Sequence, residues 1–311
     1  MDALTDVIRL LRPKTVLLGR MSGSGGWGVQ VPEQPGPTFY FVTEGRCWFQ
    51  AEGAGVRELK EGDYILSARP TTDTFSSRPG AETVLSDEAF KALHSVEGEV
   101  RVGDPETGTT TRILGGLIQC DAANADLLIG LLPRIVYVPA SEQSGARLRA
   151  LVSIIGEEAD DTRPGRDAVL CRLIEVMLIE TLRREAAAWS PNVGLLGGLA
   201  HPQLAQALTH IHADVTRGWT VGELARRVGM SRSVFARRFS EAVGVAPVEY
   251  LLSWRMALAK DALLSGRGSL EEIAGAVGYR SASAFSTAFS HRVGCPPSEY
   301  ASVLQSARTT A

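Results

Sequence analysis

The C-terminal third of the chain carries one module written twice, and this constrains the fold more than any other feature. Thr220–Tyr250 reads TVGELARRVGMSRSVFARRFSEAVGVAPVEY, and Ser269–Tyr300 reads SLEEIAGAVGYRSASAFSTAFSHRVGCPPSEY. A Glu-Leu/Ile-Ala triplet, a Gly, a Phe-x-x-x-Phe pair, a second Gly, a Pro and a Glu-Tyr recur in the same order. The offset is 49 residues at Glu223/Glu272 and Gly229/Gly278, and 50 from Phe235/Phe285 onward. The second copy therefore holds one extra residue in its turn.

Each copy parses as two short helices. Thr220 with Glu223, and Ser269 with Glu272, form the pattern of a capping box at the start of the first helix. Apolar residues follow at helical spacing: Val221, Leu224, Ala225, Val228, and Leu270, Ile273, Ala274, Val277. Gly229 and Gly278 fall where that helix must end and the chain must turn. The second helix starts near Ser231 or Ser281, buries Phe235 and Phe239 or Phe285 and Phe289, and closes at Gly244 or Gly294. Helix, Gly-containing turn and second helix is the arrangement that sets a recognition helix in the major groove of DNA. A helical solenoid is the plainer alternative, but it needs at least three copies to bury a continuous core.

The positions left outside the Phe anchors fit DNA. The first recognition helix offers Arg232, Ser233, Ala236, Arg237 and Arg238, and the second offers Arg280, Ser281, Ser283, Ser286 and Thr287. Arginine and small polar side chains are those that reach phosphates and base edges. The stretches ELARRVGMSRSVFARRF, PVEYLLSWRMALAKDALL and EEIAGAVGYRSASAFSTAFSHRVGCPPSEY resemble the DNA-binding domain of the AraC/XylS family of bacterial transcription regulators, over residues 201–303. The resemblance implies helix-turn-helix units at 220–241 and 269–291, joined by a long helix over Val248–Leu264. On that helix Tyr250, Leu251, Trp254, Leu258 and Leu263 are expected inside. Seventeen residues rise roughly 25 Å, enough to hold two recognition helices about one DNA turn apart. The resemblance places Arg237 among the residues that reach bases. It leaves the second helix with a short Thr287 where many relatives carry a longer side chain.

Charge divides the chain in the same place. From His201 onward there are 12 basic and 8 acidic residues, against 20 and 27 before it. A weakly basic domain binds DNA through a few placed arginines, and the affinity falls with salt. No apolar run approaches the length of a membrane span. The N-terminus MDALTDVIRLLRP reads as an amphipathic helix with Leu4, Ile8 and Leu11 on one face, and not as a secretion signal. Cys47, Cys120, Cys171 and Cys295 are scattered, which suits free thiols in a reducing cytoplasm. They read as small buried hydrophobes more than as redox sensors.

Residues 15–138 favour short strands: Thr15–Arg20, Thr38–Val42, Cys47–Ala51, Val56–Leu59, Tyr64–Ala68, Ile113–Cys120 and Ile135–Val138. The run FYFVTEGRCWFQAEGAGVRELKEGDYILSARP has a strand, a Glu-Gly turn, a strand, then Leu-x-x-Gly-Asp and an apolar strand. It resembles the cupin-type effector domain that precedes AraC-like DNA-binding domains. The expected fold class is thus α+β: a β-barrel or sandwich with helices, then an all-α domain. Domain boundaries are expected at 1–189, a linker at 190–200, and 201–311.

A cupin raises the alternative of a small-molecule enzyme. Metal-dependent cupins need clustered His and Glu. Only His94 of the five histidines lies in the barrel region, and TTDTF stands where a ligand His is usual. His210 and His212, two apart, point to different faces and read as ordinary solvated or capped histidines. No metal, cofactor or catalytic residue is assigned. After the barrel, Ser144–Ile155 and Arg166–Ala187 carry broad apolar stripes that pack on the barrel and, by the resemblance, pair two subunits. The sequence thus points to a cytoplasmic regulator with promoter DNA and RNA polymerase as partners. A homodimer and a small-molecule effector at the N-terminal domain complete the expectation.

Overall fold

The computed structural model describes residues 2–11, 15–85, 99–104, 106, 108–119, 134–142, 145–187, 194–266 and 268–302. The fold is α+β and divides into two compact units. One comprises Arg12–Asp121 and Leu132–Glu185, and the described part of the other comes from Met1–Leu11 and Ala186–Ala311. His94, Cys120 and Ser144 lie outside the described residues.

The first of these units holds eleven strands among its described residues. They are β1 (Thr15–Ser24), β2 (Gly28–Val31), β3 (Thr38–Glu44), β4 (Arg46–Ala51), β5 (Gly55–Lys60), β6 (Tyr64–Ser67), β7 (Asp73–Ser76), β8 (Val84–Leu85), β9 (Glu99–Gly103), β10 (Thr110–Gln119) and β11 (Ile135–Val138). One sheet runs β11-β6-β3-β10-β1-β9 and the other β5-β4-β7-β2-β8. Inward side chains of both sheets share one core, including Met21, Tyr40, Ile65 and Ile113 from the first and Val29, Phe49, Leu59 and Phe75 from the second. The rings of Tyr40 and Phe75 meet edge to face at 4.7 Å, and those of Phe49 and Phe75 lie 5.2 Å apart. β3 and β6 are buried on both faces. Their outer sides are matched by buried residues of α2 (Ala146–Ala159) and α3 (Arg166–Ala187), and Thr181 of α3 donates to the Tyr64 hydroxyl at 3.4 Å.

Gly62 and Asp63 form the turn between β5 and β6. Gly62 adopts φ +86°, a backbone region open to glycine. The buried Asp63 carboxylate then accepts from the backbone N–H of Lys60 at 2.9 Å and Ala140 at 2.7 Å and from the Tyr137 hydroxyl at 3.0 Å. Cys47 is buried, and desolvation pushes its thiol up to about 12, so it stays protonated and unreactive at neutral pH. Cys171 and Cys295 are half-buried.

The helical unit contains α1 (Ala3–Leu11), α4 (Leu195–Leu199), α5 (Pro202–Ala213), α6 (Val221–Arg227), α7 (Arg232–Val243), α8 (Pro247–Leu264), α9 (Leu270–Ala276) and α10 (Ala282–Val293). Two parts of it differ from the sequence expectation. Residues 1–189 are expected together, yet α1 belongs to the helical unit. There it buries Ala3, Val7, Ile8 and Leu10, while Leu4 of the expected face is half-buried. Within the expected linker 190–200, Leu195–Leu199 is a short helix with Leu195 and Leu196 buried. A Cβ at Gly198 would fall 2.8 Å from Val243 and 2.9 Å from Leu208, so this glycine lets α4 sit down on α5 and α7.

His212 is a further departure. Its side chain is fully buried, not solvated. The ring stacks on Trp254 at 4.0 Å, and Nε2 lies 2.8 Å from the Tyr250 hydroxyl. Nδ1 lies 3.4 Å from the Asp6 carboxylate of α1, without hydrogen-bond alignment. Burial pushes this imidazole down to about 3. The Asp2 charge favours the protonated form, but a fully enclosed ring on an indole face is governed by desolvation.

Candidate nucleic-acid interface

The two copies fold as the repeat requires. α6 and α9 stand 49 residues apart, α7 and α10 stand 50 apart, and the extra residue sits in the second turn. Gly229 and Gly278 turn at φ +69° and +83°, and Gly244 and Gly294 close the second helices at +83° and +91°. Ser231 accepts from the Val234 N–H at 3.4 Å, and Ser281 accepts from the Ala284 N–H at 3.2 Å. Each satisfies a donor that a helix start leaves free.

The first helices are capped unequally. Ser269 and Glu272 form the full reciprocal box. Thr220 accepts from the Glu223 N–H at 3.2 Å, but the Glu223 carboxylate turns to Arg217 instead. The apolar stripes are as read except at their first residues. Val221 is half-buried and Leu270 is 37% exposed, because the first turn of each helix overhangs the core.

Behind each recognition helix the phenylalanines form the anchor. Phe235 and Phe239 are fully buried with rings 5.6 Å apart, as are Phe285 and Phe289 at 5.5 Å. Tyr250 packs edge-on to Phe239, and Tyr300 packs the same way on Phe289. Both Glu-Tyr motifs thus close their own copy. With both rings buried, helical periodicity turns positions 233 and 237 outward on α7, and 283 and 287 outward on α10.

The named side chains fall accordingly. Arg232, Ser233, Arg237 and Arg238 are exposed, as are Arg280, Ser283 and Thr287, whereas Ser281 and Ser286 are half-buried. Among the described residues none of these four arginines on the first helix and the second turn has an ion-pair partner. The second helix is chemically quieter. The Thr287 hydroxyl donates to the Ser283 carbonyl of its own helix at 3.1 Å. The Glu271 carboxylate accepts from the Ala282 N–H at 3.4 Å, so an anionic side chain already sits where a phosphate would meet this helix start. Sequence reading did not reach Glu271, whose contact crosses the turn.

The joining helix α8 is one residue longer at its start than the expected Val248–Leu264. Leu251, Trp254 and Leu263 are buried, while Tyr250 and Leu258 are half-buried. Arg255 on this helix is also buried, which the sequence did not suggest. It donates from Nε to the Val215 carbonyl at 2.9 Å and from Nη2 to those of Thr216 and Arg217 at 3.2 and 3.1 Å. Its guanidinium also lies 5.8 Å over the Tyr279 ring in the second turn. Arg292 of α10 grips Glu249 of α8 through both oxygens, at 2.5 and 2.9 Å, and holds that carboxyl below its usual range. One helix therefore carries fixed attachments to both copies.

Comparison with known proteins agrees with this architecture. Residues 2–187 match a family model described as Cupin, and residues 224–302 one described as Helix-turn-helix domain. The chain is 34% identical over 302 residues to an AraC-like transcription regulator of Streptomyces lividans, covering 96% of this chain and 98% of that one. It is 28% identical over 307 residues to the HTH-type transcriptional regulator AlkR of Acinetobacter baylyi, covering 96% and 99%. Among solved structures, the DNA-binding domain of AdpA in complex with a target DNA aligns at 30% identity, with 36% of this chain and all of that one covered and a TM-score of 0.33. A cupin match over residues 2–187, followed by a duplicated helix-turn-helix, places the chain in the AraC family of DNA-binding transcription regulators.

Proposed function

We propose that the protein holds double-stranded promoter DNA through α7 and α10, with α7 supplying most of the sequence selectivity. The outward face of α7 carries this reading. Arg237 and Ser233 stand exposed one turn apart, on a helix fixed from behind by two buried phenylalanines. Arg237 reads a base edge with Ser233 beside it, and Arg232 and Arg238 hold phosphates on either flank. Arg237→Ala is expected to weaken specific binding by about 1–3 kcal/mol and to relax the preference at one base pair. Selection from random DNA, with wild type and variant side by side, reads both effects. A uniform loss on every sequence would make Arg237 a phosphate contact, and no loss would remove its role.

In the second unit, Arg280 and Ser281 meet the backbone, while Ser283, Ser286 and Thr287 make shallow contacts. Two observations support this division: the Thr287 hydroxyl is spent on its own helix, and Glu271 occupies the start of α10. The information in the selected site is expected to concentrate in the half that meets α7. Glu271→Gln is expected to raise affinity several-fold at low salt without changing the selected sequence, since it removes an anion facing phosphate. A site with equal information in both halves, or a Glu271→Gln variant that binds no tighter, would contradict this assignment.

The barrel unit is read as the receiver of a small-molecule signal, and α2 and α3 as the surface that pairs two copies. Exposed Ile154, Val169 and Val176, at 46%, 43% and 41%, support the pairing surface. Contact with RNA polymerase and a cytoplasmic location follow from the regulator reading. The rival is a cupin enzyme with an accessory helical domain, and stoichiometric iron, manganese or zinc in the purified chain would favour it.

A further inference from the structure

The two sheets of the barrel unit part at one side. There β11 is the edge of the six-stranded sheet and β5 the edge of the five-stranded sheet. A cleft of about 240 Å³ lies between them. Its floor is apolar, made by Phe49, Ile65 and Ile135. Phe49 and Ile65 belong to the barrel core itself.

Two cations and an aromatic ring complete the cleft. Arg57 stands directly across from Phe49 in the β4–β5 ladder, and two residues from the buried Leu59. Its side chain therefore leaves the strand on the inward face. By the same register argument Tyr137 stands across from Ile65 and is inward-facing. The Arg57 guanidinium lies 4.2 Å over the Tyr137 ring, and among the described residues it has no ion-pair partner. Arg134 lines the same cleft. Among the described residues its one carboxylate neighbour, Glu52, is 3.9 Å away and 80% exposed, a pair of little strength. A Cβ at Gly53 would fall 3.0 Å from the Arg134 guanidinium, so glycine there leaves that head room at the cleft. Among the described residues the lining contains no Asp or Glu.

An inward arginine on an edge strand also discourages edge-to-edge pairing. That role accounts for Arg57 alone. It leaves unexplained the second guanidinium over the same opening and the apolar floor that continues into the core.

We propose that this cleft binds a small organic anion with a compact apolar body. Arg57 and Arg134 take the carboxylate through paired N–H donors. Tyr137 and the Phe49/Ile65/Ile135 floor cover the body. This rests on the reading that the barrel unit receives a signal, and it names the chemical class of that signal.

Calorimetric titration of the full chain with phenylacetate, benzoate and hexanoate tests it, each beside its neutral amide. At least one acid is expected to saturate below roughly 10 mM and to bind at least about tenfold tighter than its amide. Arg57→Gln and Arg134→Gln are each expected to weaken that acid at least fivefold, with the melting curve and ligand-free DNA affinity unchanged. Arg134 is exposed, so its variant keeps the test valid if Arg57→Gln loosens the edge. Acids that bind no tighter than amides, no saturation by any acid, or variants with unchanged affinity would overturn the proposal. New self-association of Arg57→Gln with unchanged acid affinity would assign it to edge protection alone. A DNA affinity that responds to an amide or an amine but to no acid would leave the signal reading standing and overturn this one. An acid bound through both arginines that leaves DNA affinity unmoved would keep the site and remove the signal reading.

Discussion

Replacing Arg255 by alanine is expected to destabilise the helical unit by about 3 kcal/mol or more, and to abolish DNA binding at temperatures where the wild type is folded. Three backbone carbonyls at residues 215–217 receive this one guanidinium. Removing it strands them beneath a helix, where each orphaned acceptor carries a desolvation cost. The loss also empties the space beside Gly278, whose Cβ position lies 2.6 Å from Arg255 Nη2 and 2.9 Å from Thr216 Cα. The side chain thus bridges the loop before the first helix-turn-helix and the turn inside the second. Arg255→Lys keeps the charge but offers a point donor instead of a fork, so it should fall between wild type and alanine. Hydrogen exchange resolved over residues 194–302 reads the effect in this unit alone. Alanine within about 0.5 kcal/mol of wild type would mean that the bridge is idle.

Most of the helical unit is legible from the sequence because its signals are local. Thr220, Ser231, Ser269 and Ser281 cap within three residues, and Gly229, Gly278, Gly244 and Gly294 mark turns by their own φ. The repeat then confirms each signal by stating it twice. What stays hidden depends on partners distant in sequence. Arg255 and His212 look like surface residues until α5, α8 and the loop after α5 close around them. The Glu223 carboxylate leaves its expected cap because Arg217, six residues away, competes for it. Glu271 reaches α10 only because the turn folds back.

The barrel is less legible, for reasons of pattern. β2 (Gly28–Val31) and β7 (Asp73–Ser76) escape notice because each is short and interrupted by Gly or polar residues, unlike the equally short but apolar β6 and β11. The two-residue β8 is too short to carry a pattern, and β9 alternates over only five residues. Yet β7 runs through the middle of its sheet, between β4 and β2. It puts Asp73 inside, where Ser67 donates to the carboxylate at 2.9 Å and Thr38 at 3.4 Å. Arg57 is missed in the same way. A single charged residue in a short strand does not reveal which face it takes, and the partner strands settle that.

These two buried groups, His212 and Asp73, are expected to give the two units opposite responses to pH. Burial holds His212 down at about 3 in the folded chain, against about 6.5 when unfolded. Between those values the unfolded chain binds more protons, so stability rises with pH. The contribution is whole above about pH 6.5 and shrinks as pH falls, by roughly 2 kcal/mol at pH 5. Asp73 runs the other way. Desolvation raises its carboxyl to about 6 despite the hydroxyl donors of Ser67 and Thr38, against about 3.9 unfolded. Between those values the folded chain binds more protons, so the barrel unit loses stability as pH rises from about 4 to 6. At neutral pH the buried charge costs roughly 3 kcal/mol. One carboxylate oxygen has no hydrogen-bond partner among the described residues, which is where that cost resides. Asp73→Asn keeps an acceptor for Ser67 and Thr38 and removes the charge. It is expected to stabilise the barrel unit at pH 7 and to flatten its slope between pH 4 and 6, with the helical unit unchanged. Hydrogen exchange of the full chain across this range separates the units. An Asp73→Asn variant less stable at pH 7 would mean that the buried charge has a partner that repays its desolvation.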